Sequence, residues 1–183
     1  MKWGVLFDLC LRYITLIVLG LLFMKIFYLI FYPLTVYPTQ AILSIFFNVS
    51  KAGHTIYANG IPIEIIGACV AGSAYYLFLI LNLATPNIEI KKRSIVLLLS
   101  FAVFLIINII RIVLLASMSI ADSPLFDFTH FVFWYFLSTI FIVLIWFYEV
   151  KKFKIKGIPF YSDIKTIFNN SSLKKRKKTK RSK

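Results

Sequence analysis

The chain has 183 residues, of which 60% are hydrophobic and only 7 are acidic, and its mean hydropathy is +0.86. A soluble domain of this length could not bury so much apolar surface, so the composition excludes a water-soluble globular protein. Much of the formal net charge of +14 comes from a dense basic run near the carboxyl terminus. The sequence therefore predicts an all-α polytopic membrane domain over residues 1–150 and a basic cytoplasmic tail over residues 151–183.

Four apolar segments are long enough to cross a hydrocarbon core of roughly 30 Å, which takes about 20 residues as a helix. The predicted spans run from about Tyr13 to Tyr32, from about Ile66 to Ala84, from Ser94 to about Met118 and from Phe128 to about Tyr148. The first is too long for the apolar core of a signal peptide, and no small-residue cleavage site follows it. We therefore count it as a transmembrane helix.

The segment between the first two spans predicts smaller elements outside the cytoplasm. Ala41–Phe47 is apolar but too short to span, which is typical of an interfacial or re-entrant helix. Asn59-Gly60 lies between Thr55–Ala58 and Ile61–Ile65, and this dipeptide favours a tight β-hairpin turn. This arrangement requires a cytoplasmic amino terminus, which only Lys2 and Arg12 support, so the orientation of that end stays open.

Basic residues set the predicted orientation of the other helices, since short cytoplasmic loops carry the excess of lysine and arginine. Lys91-Lys92-Arg93 separates the second and third spans, and a second basic cluster at 151–156 follows the fourth. Both clusters are expected in the cytoplasm. The loop Ser119–Asp127 contains no basic residue and is expected on the opposite side.

Three chemically distinctive residues are then expected at one depth. Cys69, Arg111 and His130 each lie roughly 25–30 Å from the cytoplasmic ends of their helices, at about 1.5 Å of rise per residue. All three reach the extracytoplasmic face. A thiol, a guanidinium and an imidazole could therefore form a single site.

Cys69 is expected to open a helix, whose positive N-terminal end favours the thiolate. Its alternative interpretation is a small, inert buried side chain. Cys10 fits that alternative, because it lies near the inner end of the first span, and the predicted topology places the two cysteines too far apart for a disulfide.

Arg111 lies within an apolar helix, where a charge costs about 2.5–3.5 kcal/mol on insertion scales and normally needs a partner or a wet cavity. Asn108 precedes it by three residues on the same helical face, so both side chains could donate hydrogen bonds to one oxyanion. The alternative for Arg111 is snorkelling toward the interface.

His130 is the predicted acid and base. Asp127 lies three residues earlier and could hold the imidazole tautomer. His54 is the rival base, and Lys25 either snorkels or lines the site. We expect no metal and no cofactor, because two histidines and two cysteines divided by topology do not make a zinc site.

The order of these residues resembles the archaeosortase/exosortase family of membrane-embedded cysteine transpeptidases. The resemblance covers about Gly60 to Val150 and depends on Ala68-Cys69 with Gly72 soon after, on Asn108-Ile109-Ile110-Arg111 and on His130 opening the last helix. Many members follow the cysteine with a small polar residue and then glycine, whereas Val70-Ala71 precede Gly72 here. The chain is also short for the family, as a minimal member would be.

The resemblance implies that Cys69 is the nucleophile, that Arg111 stabilises the tetrahedral intermediate and that His130 is the acid/base. The implied substrates are exported proteins with a carboxy-terminal sorting signal, which consists of a short motif, a hydrophobic helix and a basic cluster. The implied location is the plasma membrane, with the site facing outward.

Other classes of function stay open at this point. A non-enzymatic membrane scaffold or assembly factor would use Arg111 and His130 only for helix packing, and a transporter would need a polar pathway through the full depth. The basic tail is expected to contact anionic headgroups, at about 1 kcal/mol per residue. It is not expected to bind nucleic acid, since no folded basic domain is present.

Overall fold

The computed structural model describes residues 3–85 and 88–155. The helices and strands follow in the order α1 (Trp3–Phe46), β1 (Val49–Ala52), β2 (Thr55–Ala58), β3 (Ile61–Glu64), α2 (Gly67–Val70), α3 (Gly72–Ala84), α4 (Ile90–Ile120), α5 (Phe126–Val132), one π-helical turn (Phe133–Leu137) and α6 (Ser138–Lys152). The predicted tail lies almost entirely outside the described residues.

Four stretches of helix are long and apolar enough to cross a membrane. They are Met24–Phe46, Gly67–Ala84, Ile90–Ile120 and Phe126–Lys152, so the predicted number of spans is confirmed within the described residues. Large apolar side chains point outward from these helices, as Leu29 does with 76% of its surface exposed. Such a surface fits lipid rather than water, and the fold is compatible with a multi-pass membrane protein.

The long helix α1 corrects one prediction. It continues through Pro33 and Pro38 to Phe46, so Ala41–Phe47 does not form a separate interfacial helix. Among the described residues of α1, the stretch long and apolar enough to span is Met24–Phe46, which overlaps the predicted span Tyr13–Tyr32. A proline removes only one N–H from the helix, and membrane helices tolerate that loss where neighbouring elements pack around them.

A three-stranded antiparallel sheet follows α1 in the order β1-β2-β3. The predicted hairpin is confirmed: Asn59 and Gly60 have φ of 51° and 83°, the left-handed values that a type I′ turn requires. Strand β1 was not predicted, because Val-Ser-Lys-Ala lacks an alternating apolar pattern. The sheet contacts α1 through Lys51, whose Nζ lies 4.5 Å from the ring centroid of Tyr37.

Aromatic side chains fill the core between α1, α3 and α4. The ring centroids of Phe31 and Tyr75 lie 3.5 Å apart in a stacked pair, and Phe104 packs edge-on against Tyr75. Helix α2 ends at Val70, the next residue Ala71 has φ of 55°, and α3 starts at Gly72. A Cβ on Gly72 would lie only 3.0 Å from Cζ of Tyr28, so this close approach of α1 to α3 favours glycine.

One end of the helix bundle is closed by polar contacts. The Arg93 guanidinium donates to the main-chain oxygens of Asn82 and Thr85, at the end of α3, where carbonyls lack the N–H donors of a following helical turn. The Asn82 amide donates back to the Arg93 carbonyl at 3.1 Å.

Near this end, α4 and α6 are joined by a second polar contact. Ser100 Oγ lies 2.6 Å from the Glu149 carboxyl, and both side chains are buried. This contact was not predicted, since the polar groups inside the bundle were expected to gather at the opposite end.

Candidate active site

Cys69, Arg111 and His130 line the same cavity, which has a volume of about 280 Å³. They come from α2, α4 and α5, respectively, at the end of the bundle opposite Arg93. The three segments meet because α3 and α6 run antiparallel to α4. The convergence of these side chains, expected from their depth alone, is what the structure shows.

Cys69 lies in a helix of only four residues, between Ile66 and the bend at Ala71. Its thiol is free and its side chain is half-buried. Cys69 therefore lies at the start of a helical segment, as expected, but its own helix is a single turn that bends at Ala71 before α3 begins. Because a single turn aligns few peptide dipoles, the helix gives little electrostatic support to a thiolate, and such support has to come from neighbouring side chains.

Asn108 and Arg111 do converge on one point, as their spacing predicted, but that point is the main-chain oxygen of Cys69. Asn108 Nδ2 donates to this oxygen at 2.9 Å and Arg111 Nη2 at 3.3 Å. The Asn108 side chain is only 2% exposed. Its amide therefore fixes the backbone that carries the thiol, rather than pointing into open space where an oxyanion would form.

Ser138 is a site residue that the sequence did not reveal. Arg111 Nη1 donates to Ser138 Oγ at 2.8 Å, and the same hydroxyl donates to the Phe133 carbonyl at 2.8 Å. The Ser138 N–H also bonds to Phe133 O across the π-helical turn. Widened turns of this kind are frequent at functional sites, and this one places a hydroxyl beside the guanidinium.

The Arg111 guanidinium lies where two cavities meet. Its Nε is buried and has no hydrogen-bond partner among the residues that the structure describes. Arg111 also lines a second cavity of about 430 Å³ between α3 and α6, together with Ser73, Leu77 and Thr139. The guanidinium therefore lies at the boundary of two cavities, one beside the thiol and one between transmembrane helices.

His130 is exposed on α5, and its ring lies between those of Phe126 and Trp134, with centroids 5.7 Å and 5.8 Å away. These contacts orient the imidazole along the cavity wall. Asp127 is exposed as well, and over residues 3–85 and 88–155 no hydrogen bond joins it to His130. The structure therefore does not bring Asp127 into its predicted supporting role.

His54 lies apart from the cavity of Cys69. Its Nδ1 is 2.5 Å from the Tyr32 hydroxyl, and both residues line a separate cavity of about 650 Å³. Glu64 borders both this cavity and that of Cys69. Lys25 is exposed on α1. Among the described residues, no three histidine, cysteine or acidic side chains are grouped as a metal site would require.

No known protein family, curated protein or solved structure matches this chain.

Proposed function

We propose that the chain is a membrane-embedded cysteine transpeptidase that processes the carboxy-terminal sorting signals of exported proteins, similar in chemistry to the archaeosortase/exosortase family. The observation that carries this proposal is the single cavity lined by Cys69, Arg111 and His130. A thiol nucleophile, a fixed cation and a titratable base around one small volume are the groups that acyl transfer needs.

In the proposed reaction, the Cys69 thiol gives its proton to His130, and its sulfur forms a bond to the scissile peptide carbonyl carbon. Arg111 stabilises the negative charge on the carbonyl oxygen. The C–N bond then breaks and His130 donates a proton to the leaving amine, which leaves a thioester on Cys69. An amine or hydroxyl acceptor next loses its proton to His130 and bonds to the acyl carbon. The C–S bond breaks, and His130 returns the proton to the Cys69 sulfur.

Asn108 has a positioning role in this scheme. Its amide already donates to the main-chain oxygen of Cys69, which holds α2 against α4. The chain between Ile66 and Gly72 is short and bent, so this buried hydrogen bond limits the movement of the thiol relative to Arg111. Preorganisation of that kind keeps the nucleophile at the geometry that attack requires.

A non-enzymatic scaffold is the second candidate, and one observation favours it. Two donors of α4 bond to the same carbonyl of α2, an arrangement that would also serve only to lock two membrane segments together. This candidate gives the Cys69 thiol no role, and its main-chain oxygen would accept the same hydrogen bonds if another side chain replaced the thiol.

Replacement of Cys69 separates the two candidates. The full chain is co-expressed with an exported protein that ends in a short motif, a hydrophobic helix and a basic cluster, and conversion of that protein is followed by mass spectrometry. We expect Cys69→Ala and Cys69→Ser to reduce conversion by at least about 10³-fold. Cys10→Ser is the matched control, and we expect normal conversion. Normal conversion by Cys69→Ala at wild-type expression would overturn the transpeptidase.

The proposal includes a location and a membrane partner. The site would face outward in the plasma membrane, where exported substrates arrive. The opposite end of the bundle, which contains Arg93 and is called the basic end below, would face the cytoplasm. Lys91, Lys151 and Lys152 are exposed at that end, as contact with anionic headgroups requires. The rest of the basic tail, beyond residue 155, lies outside the described residues.

A further inference from the structure

The free edge of β3 faces the cavity that contains Cys69. Five consecutive residues from Pro62 to Ile66 line this cavity. Because β3 is an edge strand, one side of its backbone pairs with β2 and the other side has no neighbouring strand in the sheet. Peptide groups on that second side are available to another extended chain.

The register identifies these peptide groups. The two-residue turn Asn59-Gly60 makes Ala58 and Ile61 a hydrogen-bonded pair, and such pairs alternate along an antiparallel ladder. The next pair of that type is Ile56 with Ile63, and the ladder ends where Ile65 N–H donates to the His54 carbonyl.

Pro62 and Glu64 alternate with the hydrogen-bonded residues of β3, so their peptide groups point away from β2. The unpaired side of β3 therefore presents the Pro62 carbonyl, the Glu64 N–H and the Glu64 carbonyl. Since proline has no N–H, it is confined to this outward side, as strand prolines usually are. The proline also removes one donor at the far end, so pairing is concentrated at Glu64, which is the end nearer Cys69.

We propose that the substrate binds in an extended conformation and pairs with β3 as a fourth strand of the sheet. This pairing places the scissile carbonyl of the substrate beside the Cys69 thiol. This inference rests on the proposed function and names how its substrate is held. Main-chain pairing to a sheet edge supplies affinity without reading the sequence, and the neighbouring pockets then select side chains. Most residues on the cavity wall are apolar, such as Ile112, Leu115 and Phe133, so a peptide with apolar side chains fits best.

The test measures how fast Cys69 is alkylated in the full chain, in lipid nanodiscs and in a Cys10→Ser background. The probes are iodoacetamide, an acetyl-trialanyl chloromethyl ketone and the same tripeptide with every backbone nitrogen methylated. In each reaction, sulfur bonds to the methylene carbon and halide leaves. Only the unmethylated peptide can pair with a strand edge through its N–H groups.

In the wild-type sheet, we expect backbone methylation to slow alkylation by the peptide about 3- to 10-fold, since one hydrogen bond contributes about that factor. Glu64→Pro removes the outward N–H and should slow the unmethylated peptide by a similar factor, without changing the rate with iodoacetamide. Glu64→Ala also loses the side chain but retains the N–H, so it is the reference against which the slowing by Glu64→Pro is measured. Lys51→Pro is the matched control, because Lys51 turns its N–H to the free edge of β1, on the far side of the sheet. It is compared with Lys51→Ala, since both changes remove the contact with Tyr37.

Equal rates for the two peptides in the unmutated sheet would overturn the inference, and this comparison needs no substitution in the sheet. Equal slowing by Glu64→Pro and Lys51→Pro would also overturn it. Two other results would contradict the proposed function rather than the strand pairing. They are an unchanged rate of alkylation by iodoacetamide in His130→Gln and normal substrate conversion by Cys69→Ala.

Discussion

The two ends of the helix bundle contain the same pair of residue types in different surroundings. At the basic end, Asn82 and Arg93 bond to each other's main-chain oxygens, and Arg93 also bonds to Thr85 O. At the site end, Asn108 and Arg111 both bond to the main-chain oxygen of Cys69. Each pair connects α4 to the preceding membrane segment.

The difference lies in what else each arginine contacts. Both donor groups of the Arg93 fork end on carbonyls of the α3 terminus, which is a helix-capping role. Arg111 contacts a serine hydroxyl and borders two cavities. One cluster therefore completes the fold, whereas the other has capacity for a ligand. Paired substitutions at the two ends test this distinction.

Among the paired substitutions, those of the two arginines are expected to differ most in substrate conversion. Arg111→Lys retains the charge but loses the fork that reaches Cys69 O and Ser138 Oγ together, and we expect substrate conversion to fall about 10²- to 10³-fold. Arg93→Lys should lower thermal stability and leave the rate per folded molecule unchanged. Conversion rates and unfolding temperatures measured in nanodiscs would decide, and equal losses of conversion for both variants would remove the distinction.

The asparagines should differ in reactivity rather than in stability. Asn108→Leu and Asn82→Leu each remove a buried amide donor from a main-chain oxygen, at a cost of about 1–3 kcal/mol of folding free energy. Only Asn108→Leu should also change the alkylation rate of Cys69 by iodoacetamide, because it releases the backbone that holds the thiol. If both variants change this rate alike, Asn108 has no positioning role.

A smaller effect is expected for the serines. Ser138→Ala removes the acceptor of Arg111 Nη1, and Ser100→Ala removes the hydrogen bond to Glu149. Each should cost about 1 kcal/mol of stability. Conversion should fall severalfold in Ser138→Ala alone, since the other Arg111 contacts remain. Normal conversion by Ser138→Ala would assign the π-helical turn a structural role only.

The sequence predicted the parts of the fold that depend on local patterns. Lengths of apolar sequence predicted four spans, and Asn59-Gly60 predicted a tight hairpin. The helical continuation through Pro33 and Pro38 could not be predicted in this way, because a proline breaks a helix in water but is tolerated where other helices pack around it.

In the candidate site, too, the sequence predicted the features that depend on local patterns and missed those that depend on packing. Positive clusters and helical rise were enough to place Cys69, Arg111 and His130 at one end, because depth depends only on counting residues along a helix. The partners of Arg111 depend on how helices rotate about their axes. A π-helical turn shifts that rotation, so Ser138 carried no signal in the sequence beyond being a hydroxyl in an apolar run.

The smallest effect is expected for Asp127, for which the sequence spacing and the structure predict different roles. Sequence spacing gave Asp127 the role of orienting His130, and in a catalytic triad an aspartate-to-asparagine change lowers the rate by about 10⁴-fold. In the structure, rings of Phe126 and Trp134 flank the imidazole instead, and Asp127 is exposed. We therefore expect Asp127→Asn to convert substrate at nearly the wild-type rate, whereas Trp134→Ala should slow conversion, because the imidazole loses one of its two flanking rings. A large loss in Asp127→Asn alone, measured at several pH values, would show that the carboxylate turns toward His130 when substrate binds.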